Sequence, residues 1–311
     1  MGRIVVIGGL NMDLHLFDLH ESAGQAPLWA ERHLAEPGGK GGNVARAAAR
    51  LGADVSLVAC VGDDEFGRDC VAAVAADGVD TNGVVRTSGG STGFVAIELD
   101  GGKHRSLVFA PGANEWLTWA DIEPHLDGLG PDDIVIAQAE IPEGALSAIA
   151  VHATELGVPL FLDPAPPEQV RRDQLLAAEV ITPDLAEAAQ LVGRVPGSDL
   201  WPQLAARELL EAGARRVIIK SDAAGALLAD ERGVVRIPTL PVEVLDETGA
   251  GDVFLAALAV RRLEGADWEP AIRFANAASA LSVSGAGLML PDRAAVDRAY
   301  QELDGLSPPS G

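Results

Sequence analysis

The sequence predicts an α/β fold: a doubly wound, mostly parallel central sheet flanked by helices, with a small β-rich lid. Three observations carry this expectation. Short continuous apolar runs recur at 4–7, 55–61, 134–137, 159–162, 217–219 and 226–228, and unbroken apolarity suits strands covered on both faces. Stretches of helical character lie between them, at 43–51, 66–76, 144–156, 185–192, 200–212, 250–263 and 270–283, and such alternation builds βαβ units. Two segments, 13–36 and 91–110, break the alternation. Each enters just after a core element, which suggests a lid over the carboxyl edge of the sheet, where open α/β sheets bind ligands.

The chain has 311 residues, 48% of them hydrophobic, enough for one large domain with an ample core. We expect a single domain over 1–311, with the lid built from about 12–37 and 91–111. The opening Arg3-Ile4-Val5-Val6-Ile7-Gly8-Gly9 is too short for a signal peptide and ends in glycines, so it reads as the first buried strand. Residues 13–36 are patchily apolar without helical period, whereas 91–99 and 105–110, joined by Asp100-Gly101-Gly102-Lys103, read as a hairpin. The tail 304–311, with Pro308-Pro309-Ser310, reads as frayed.

Charge and cysteine content narrow the function classes. Forty-six acidic against 23 basic residues give a net charge of −23, which repels nucleic acid and anionic membrane alike. No apolar run approaches the ~20 residues of a membrane span. Cys60 and Cys70, without a CxxC spacing or a histidine-rich partner, read as two reduced, buried thiols of a cytoplasmic protein. The six histidines lack metal-ligand spacing and are expected in solvated or structural roles. Trp116 and Trp119 read as packing residues, and Arg46 with Arg50 as a solvated helix face.

The most informative stretch is Asp246-Glu247-Thr248-Gly249-Ala250-Gly251-Asp252. An apolar, β-branched lead (Val242, Val244) meets a glycine turn, and an alanine- and leucine-rich helix follows. Glycines let backbone N–H groups converge, and a helix start adds unpaired donors at the positive end of its dipole. Asp252 falls in the first turn. A carboxylate beside an anion site is the arrangement of a base next to a transferring phosphoryl group; the plainer alternative is a glycine turn with Asp252 as a helix cap.

A second glycine turn, Gly38-Gly39-Lys40-Gly41-Gly42-Asn43, opens the helix at 43–51. It is not a Walker A loop, because Gly41 stands where Ser or Thr is required. Nor is Gly8-Gly9-Leu10-Asn11-Met12-Asp13 a dinucleotide fingerprint, for it lacks the third glycine. Asn11 and Asp13, at the exit of the first strand, suit sugar hydroxyls, or simply a polar turn.

Together these residues resemble the PfkB, or ribokinase-like, carbohydrate kinases. The two glycine turns match that family's signature regions. Between and around them Val61-Gly62-Asp63-Asp64-Glu65-Phe66-Gly67, Pro111-Gly112-Ala113-Asn114, Gln138-Ala139-Glu140-Ile141-Pro142, Leu162-Asp163-Pro164-Ala165-Pro166 and Phe274-Ala275-Asn276-Ala277-Ala278 fall in family order. The likeness covers nearly the whole chain and is greatest to the ribokinase branch.

The resemblance implies an ATP-dependent sugar kinase that transfers the γ-phosphate to a primary hydroxyl, with D-ribose as the first choice of acceptor. A nucleoside kinase, or a kinase of fructose 6-phosphate or 2-keto-3-deoxygluconate, is the alternative; Lys103 and Arg105 would then be candidates to meet a substrate phosphate. A non-catalytic kinase-fold protein that binds sugar or a protein partner is the reading from a different class.

The resemblance also implies roles. Asn11, Asp13, Gly39, Lys40, Asn43 and Glu140 hold sugar hydroxyls. Asp252 is the general base, and the amides of Gly249, Ala250 and Gly251 form the anion hole. Asp184, Lys220, Gly225 and Asn276 fall on the nucleotide side, with Asp184 where asparagine is usual and Lys220-Ser221-Asp222 in place of a Thr-x-Gly. Glu187 organises waters around Mg²⁺, and Asp246 with the Thr248 carbonyl matches part of a K⁺ site. The partners implied are sugar and ATP, and the edge of the lid implies a homodimer formed through it.

Overall fold

The computed structural model describes residues 2–21, 28–100, 103–195, 201–285 and 287–305. Part of the expected lid (22–27), the centre of its hairpin turn (101–102), Ala286 and the tail beyond residue 305 lie outside them, as do the side chains of Lys103 and Arg105.

The main sheet has nine strands in the order Gly233–Ile237, Ala226–Asp230, Val217–Lys220, Val180–Ile181, Leu160–Asp163, Ile134–Gln138, Ile4–Ile7, Val55–Gly62, Asp80–Thr87. Neighbours are parallel except at the first two pairings, where the chain returns antiparallel. The continuous apolarity of the first strand is explained by its surroundings. Ile4 and Val6 enter one core, packed on the helices Lys40–Arg50, Ala250–Leu263 and Trp268–Ser282. Val5 and Ile7 enter the other, on the helices Trp119–Leu126, Glu143–Leu156 and Trp201–Glu211. A strand with helices on both faces has no side left for polar residues.

A second sheet of four strands has the order Arg32–Gly38, Asn11–Phe17, Gly93–Asp100, Lys103–Ala110. The central two are parallel and the outer pairings antiparallel. Only residues 8–10 separate Asn11–Phe17 from the first strand of the main sheet, and Gly38 leads directly into the helix Lys40–Arg50. The second sheet is thereby anchored at the carboxyl edge of the first. Asn11, Asp13 and His15 are buried on its inner side. A two-stranded ribbon, His20–Glu21 with Leu28–Trp29, extends it.

The apolar lead containing Val242 and Val244 has no regular structure over 238–244, where Pro238 and Pro241 would deny a ladder two donors. Arg46 and Arg50 lie on a helix face that is half-buried at Arg46 and exposed at Arg50, and both reach Asp77 beyond the end of the helix Glu65–Ala76, at 2.7 and 3.1 Å. Cys60 and Cys70 are buried free thiols, as expected. No helix among the described residues is long and apolar enough to cross a membrane.

Candidate active site

Two helix starts pack side by side at the carboxyl edge. The helices Lys40–Arg50 and Ala250–Leu263 begin at Gly39 (φ 86°) and Gly249 (φ 72°), in the left-handed half of backbone space that glycine enters without strain. A Cβ on Gly39 would lie 2.7 Å from the backbone nitrogen of Asn11, so the turn also needs glycine for close approach. Neither N-cap residue supplies a side-chain cap, so both dipole ends face the site without the usual local capping group.

This packing joins residues far apart in sequence. Asn43 Nδ2 donates to Asp252 Oδ2 at 2.8 Å, and Lys40 Nζ lies 3.8 Å from Asp252 Oδ1. The Lys40 amide donates to Glu140 Oε2 at 3.3 Å. Asn11 Oδ1 accepts from Asn114 Nδ2 at 2.7 Å. Four buried polar atoms of this neighbourhood, Asn11 Nδ2, Asp13 Oδ1, Asn43 Oδ1 and Asp252 Oδ1, have no hydrogen-bond partner. Buried polar atoms without partners are costly. A ligand rich in hydroxyl groups, which both donate and accept, is the chemistry that satisfies them together.

Asp163 was not assigned a role from the sequence. It is buried at the end of the strand Leu160–Asp163 and shared by two lysines, Lys40 Nζ at 3.2 Å and Lys220 Nζ at 3.5 Å. The signal available was its place at the carboxyl end of a core strand; its two partners lie 123 and 57 residues away. Asn114 and Gln138 belong to motifs of the family resemblance, and the sequence does not reveal the contacts they make. Both are buried, and a Cβ on Gly8 would run into Gln138 Oε1.

Burial dominates the electrostatics. It pushes the Asp13 carboxyl up to about 7, with His15 opposing and Glu36 and Asp252 reinforcing. It lifts Glu140 to about 7, against the pull of Lys40, and it raises Asp252, again against Lys40. Burial works against the charge on Lys40, but Asp163, Asp252 and Glu187 outweigh it and hold the ammonium well above its ordinary value. Asp163 stays below the ordinary carboxylate value because Lys220 and Lys40 overcome its burial.

Beyond Asp252 a cavity of about 510 Å³ runs from Lys40, Glu187 and Lys220 past Gly249–Asp252 to an apolar end at Leu240, Pro241 and Val242. Lys220 leans over the turn, since a Cβ on Gly251 would lie 3.1 Å from its Nζ. A cation and open helix turn at one end and an apolar slot at the other fit a nucleotide's phosphates and base. Asn276 and Gly225 line the same cavity, although Asn276 Nδ2 already donates to the carbonyls of Ile237 and Pro238, at 3.0 and 2.9 Å. The Ala250 amide donates to the Glu247 carbonyl at 3.2 Å. Asp184 caps the helix Leu185–Leu191: Oδ1 accepts from the Glu187 amide, and Glu187 Oε2 accepts from the Asp184 amide, both at 2.7 Å. Asp184 also lines the cavity beside Glu187 and Lys220, and against burial its charge helps to raise Lys220. A separate cavity of about 560 Å³, around Arg262 and Trp268, lies at the opposite edge of the sheet and contains none of the predicted site residues.

Among the described residues no group of three or more His, Cys, Asp or Glu side chains could by itself hold a metal ion. Glu187, which lines the cavity with Asp184 beside it, suits a hard ion that keeps waters and takes phosphate oxygens as further ligands. Asp246 accepts the amides of Thr248 and Gly287, at 2.9 and 3.0 Å.

The chain is similar to known carbohydrate kinases. The family model described as pfkB family carbohydrate kinase matches residues 1–294. The ribokinase of Bacillus subtilis is 37% identical over 291 residues, 92% of this chain and 94% of that protein. The ribokinase of Haemophilus influenzae is 31% identical over 293 residues, 93% of this chain and 95% of that one. Among solved structures, the ribokinase of Thermotoga maritima superposes with a TM-score of 0.86 at 29% identity, covering 97% of this chain and all 100% of the other. The Arabidopsis thaliana ribokinase complexed with ribose and ATP gives 0.84 at 27% identity, covering 97% and 99%.

Proposed function

Because the chain belongs to the pfkB family of carbohydrate kinases, we propose that it is an ATP-dependent kinase that phosphorylates D-ribose on its primary O5 hydroxyl. One observation carries the mechanism: Asp252 stands in the first turn of an uncapped helix with one oxygen fixed by Asn43 and the other without a hydrogen-bond partner. That is the geometry of a base waiting for a hydroxyl beside an anion site. Ribokinase relatives at 37% and 31% identity support the choice of acceptor.

In this reading Asn11, Asp13, Gly39, Lys40, Asn43 and Glu140 seat the sugar. Asp252 takes the O5 proton as the new O5–P bond forms and the bond to the departing ADP breaks. The raised proton affinity of Asp252 suits it to that task. The Gly249, Ala250 and Gly251 turn steadies the migrating charge, with Lys220 above it, so that positioning and electrostatics do most of the work. Asp184, Gly225 and Asn276 belong to the nucleotide side. Mg²⁺ bound with the nucleotide neutralises phosphate charge, and Glu187 is the carboxylate we assign to its water shell. We assign a K⁺ ion to Asp246 and the Thr248 carbonyl.

The second sheet is taken as a lid on a single domain, and its outer strand as the contact of a homodimer. The use of ATP and the two free buried thiols suit the cytoplasm. The test is ADP release on adding ribose, nucleosides, fructose 6-phosphate or 2-keto-3-deoxygluconate, with and without K⁺. Turnover with ribose above the others supports the reading. Sugar binding without ADP release from any of them would overturn it in favour of a non-catalytic binding protein.

A further inference from the structure

Outside the residues assigned to chemistry, one histidine–carboxylate pair, its histidine buried and its glutamate half-buried, bridges the two halves of the site. His15 is 1% exposed, and its Nε2 lies 3.0 Å from Glu36 Oε1. Asp13 and Glu36 are paired across neighbouring strands, so they share a face of the second sheet, and His15 lies two residues along on that same face. Glu36 Oε1 also accepts the Leu288 amide at 3.4 Å. A Cβ on Gly287 would lie 3.3 Å from the Glu36 carboxylate, while the Gly287 amide is held by Asp246 from the other side. Leu288 in turn packs directly on the Gly249 turn, where an added Cβ would strike its Cδ1.

A continuous set of contacts therefore runs from the strand that carries Asp13, through Glu36, to the loop that roofs the anion turn. Resting on the reading of that turn as the place of phosphoryl transfer, we propose that Glu36, oriented by His15, is a positioning residue that fastens the acceptor-side sheet to the loop over the Gly249 turn. His15 also counters the repulsion between Asp13 and Glu36, two carboxylates facing each other across adjacent strands. The pair's charges are mutually supported: Glu36 is held below its ordinary value, first by its bond to His15, while His15 is raised by Glu36 and Asp13 against its burial.

The discriminating variant is His15→Leu with Glu36→Leu. Exchanging a buried ion pair for apolar residues of similar size is commonly neutral or stabilising, so a merely structural pair would leave activity unchanged. The proposal expects an unchanged or higher melting temperature and faster hydrogen exchange at the Gly287 and Leu288 amides. It expects kcat to fall roughly three- to thirtyfold, the span of coupling energies usual for residues that act through others, with KM for ATP unchanged. A folded double variant with wild-type exchange and wild-type kcat overturns it. Should that variant not fold, Glu36→Met, which keeps the length and removes both acceptor oxygens, carries the same two readouts with the same meaning. If the wild-type chain does not phosphorylate ribose, the functional reading fails while the exchange measurement still decides the tether.

Discussion

Asp252 shows how much rests on a single carboxylate. Asn43 fixes one of its oxygens and no hydrogen bond fixes the other, so Asp252→Asn keeps the shape of the site and removes only the proton acceptor. We expect kcat to fall ~10³-fold or more, within the range for loss of a general base, and ribose affinity measured by calorimetry to be largely kept. Near-normal turnover would remove Asp252 from the mechanism. Asp13 and Glu140 make a pH prediction. Both carboxyls are raised to about 7 by burial, and only the ionised forms accept two sugar hydroxyls. KM for ribose should therefore rise as pH falls through about 7, and Asp13→Asn should flatten that dependence. The effect on stability has the opposite sense. A folded-state value raised from 3.8 means that Asp13 contributes stability below about 4 and loses it as pH rises through about 7. Asp13→Asn should accordingly raise the melting temperature at pH 8 and change it little at pH 4. Asp13, Lys40 and Asp252 could be read from the sequence because each sits in or beside a glycine turn. Asp163 could not, because its importance comes from two lysines that only the fold brings to it.

At the scale of elements, the two glycine turns are alike in the sequence and differ in what surrounds them. Alanine at Gly249 would meet the end of a leucine side chain, which can move, so Gly249→Ala should cost only the backbone penalty of about 1–2 kcal/mol. Alanine at Gly39 would meet backbone atoms of Asn11, Leu10 and Gly9, which cannot move separately. Gly39→Ala should be the more damaging of the two in urea unfolding and in kcat/KM; the reverse order would show that the Leu288 loop is the stiffer neighbour. The longer core strands were legible because burial on both faces leaves a continuous apolar run; the two-residue core strand Val180–Ile181 was too short to leave one. The edge strands Asp80–Thr87 and Gly233–Ile237 were not: one face is exposed, and residues such as Asn82, Arg86 and Arg236 interrupt the run. The helix expected from residue 43 starts at Lys40, because tertiary packing draws Gly41 and Gly42 into the first turn against their own preference.

For the whole molecule, the outer strand of the second sheet presents Leu107, Val108 and Phe109 at 60, 63 and 41% exposure. On the neighbouring strand Ile97 and Leu99 are buried instead. An apolar edge strand left open invites pairing, so the chain should sediment as a dimer at micromolar concentration, and Leu107→Lys with Val108→Lys should give a monomer. A wild-type monomer would count against the contact. The acidic lining of the sugar pocket carries one more implication, for what happens after transfer. On the proposed reading Asp13, Glu140 and Asp252 line the seat of a neutral polyol, while Lys220 and the uncapped turn serve the phosphates of the nucleotide. With ADP still in place, the freshly made ester, which carries close to two negative charges, meets the carboxyls and not a free anion site, which favours its departure. Ribose 5-phosphate should thus inhibit only at concentrations far above the KM for ribose, leaving the enzyme insensitive to a growing pool of what it makes.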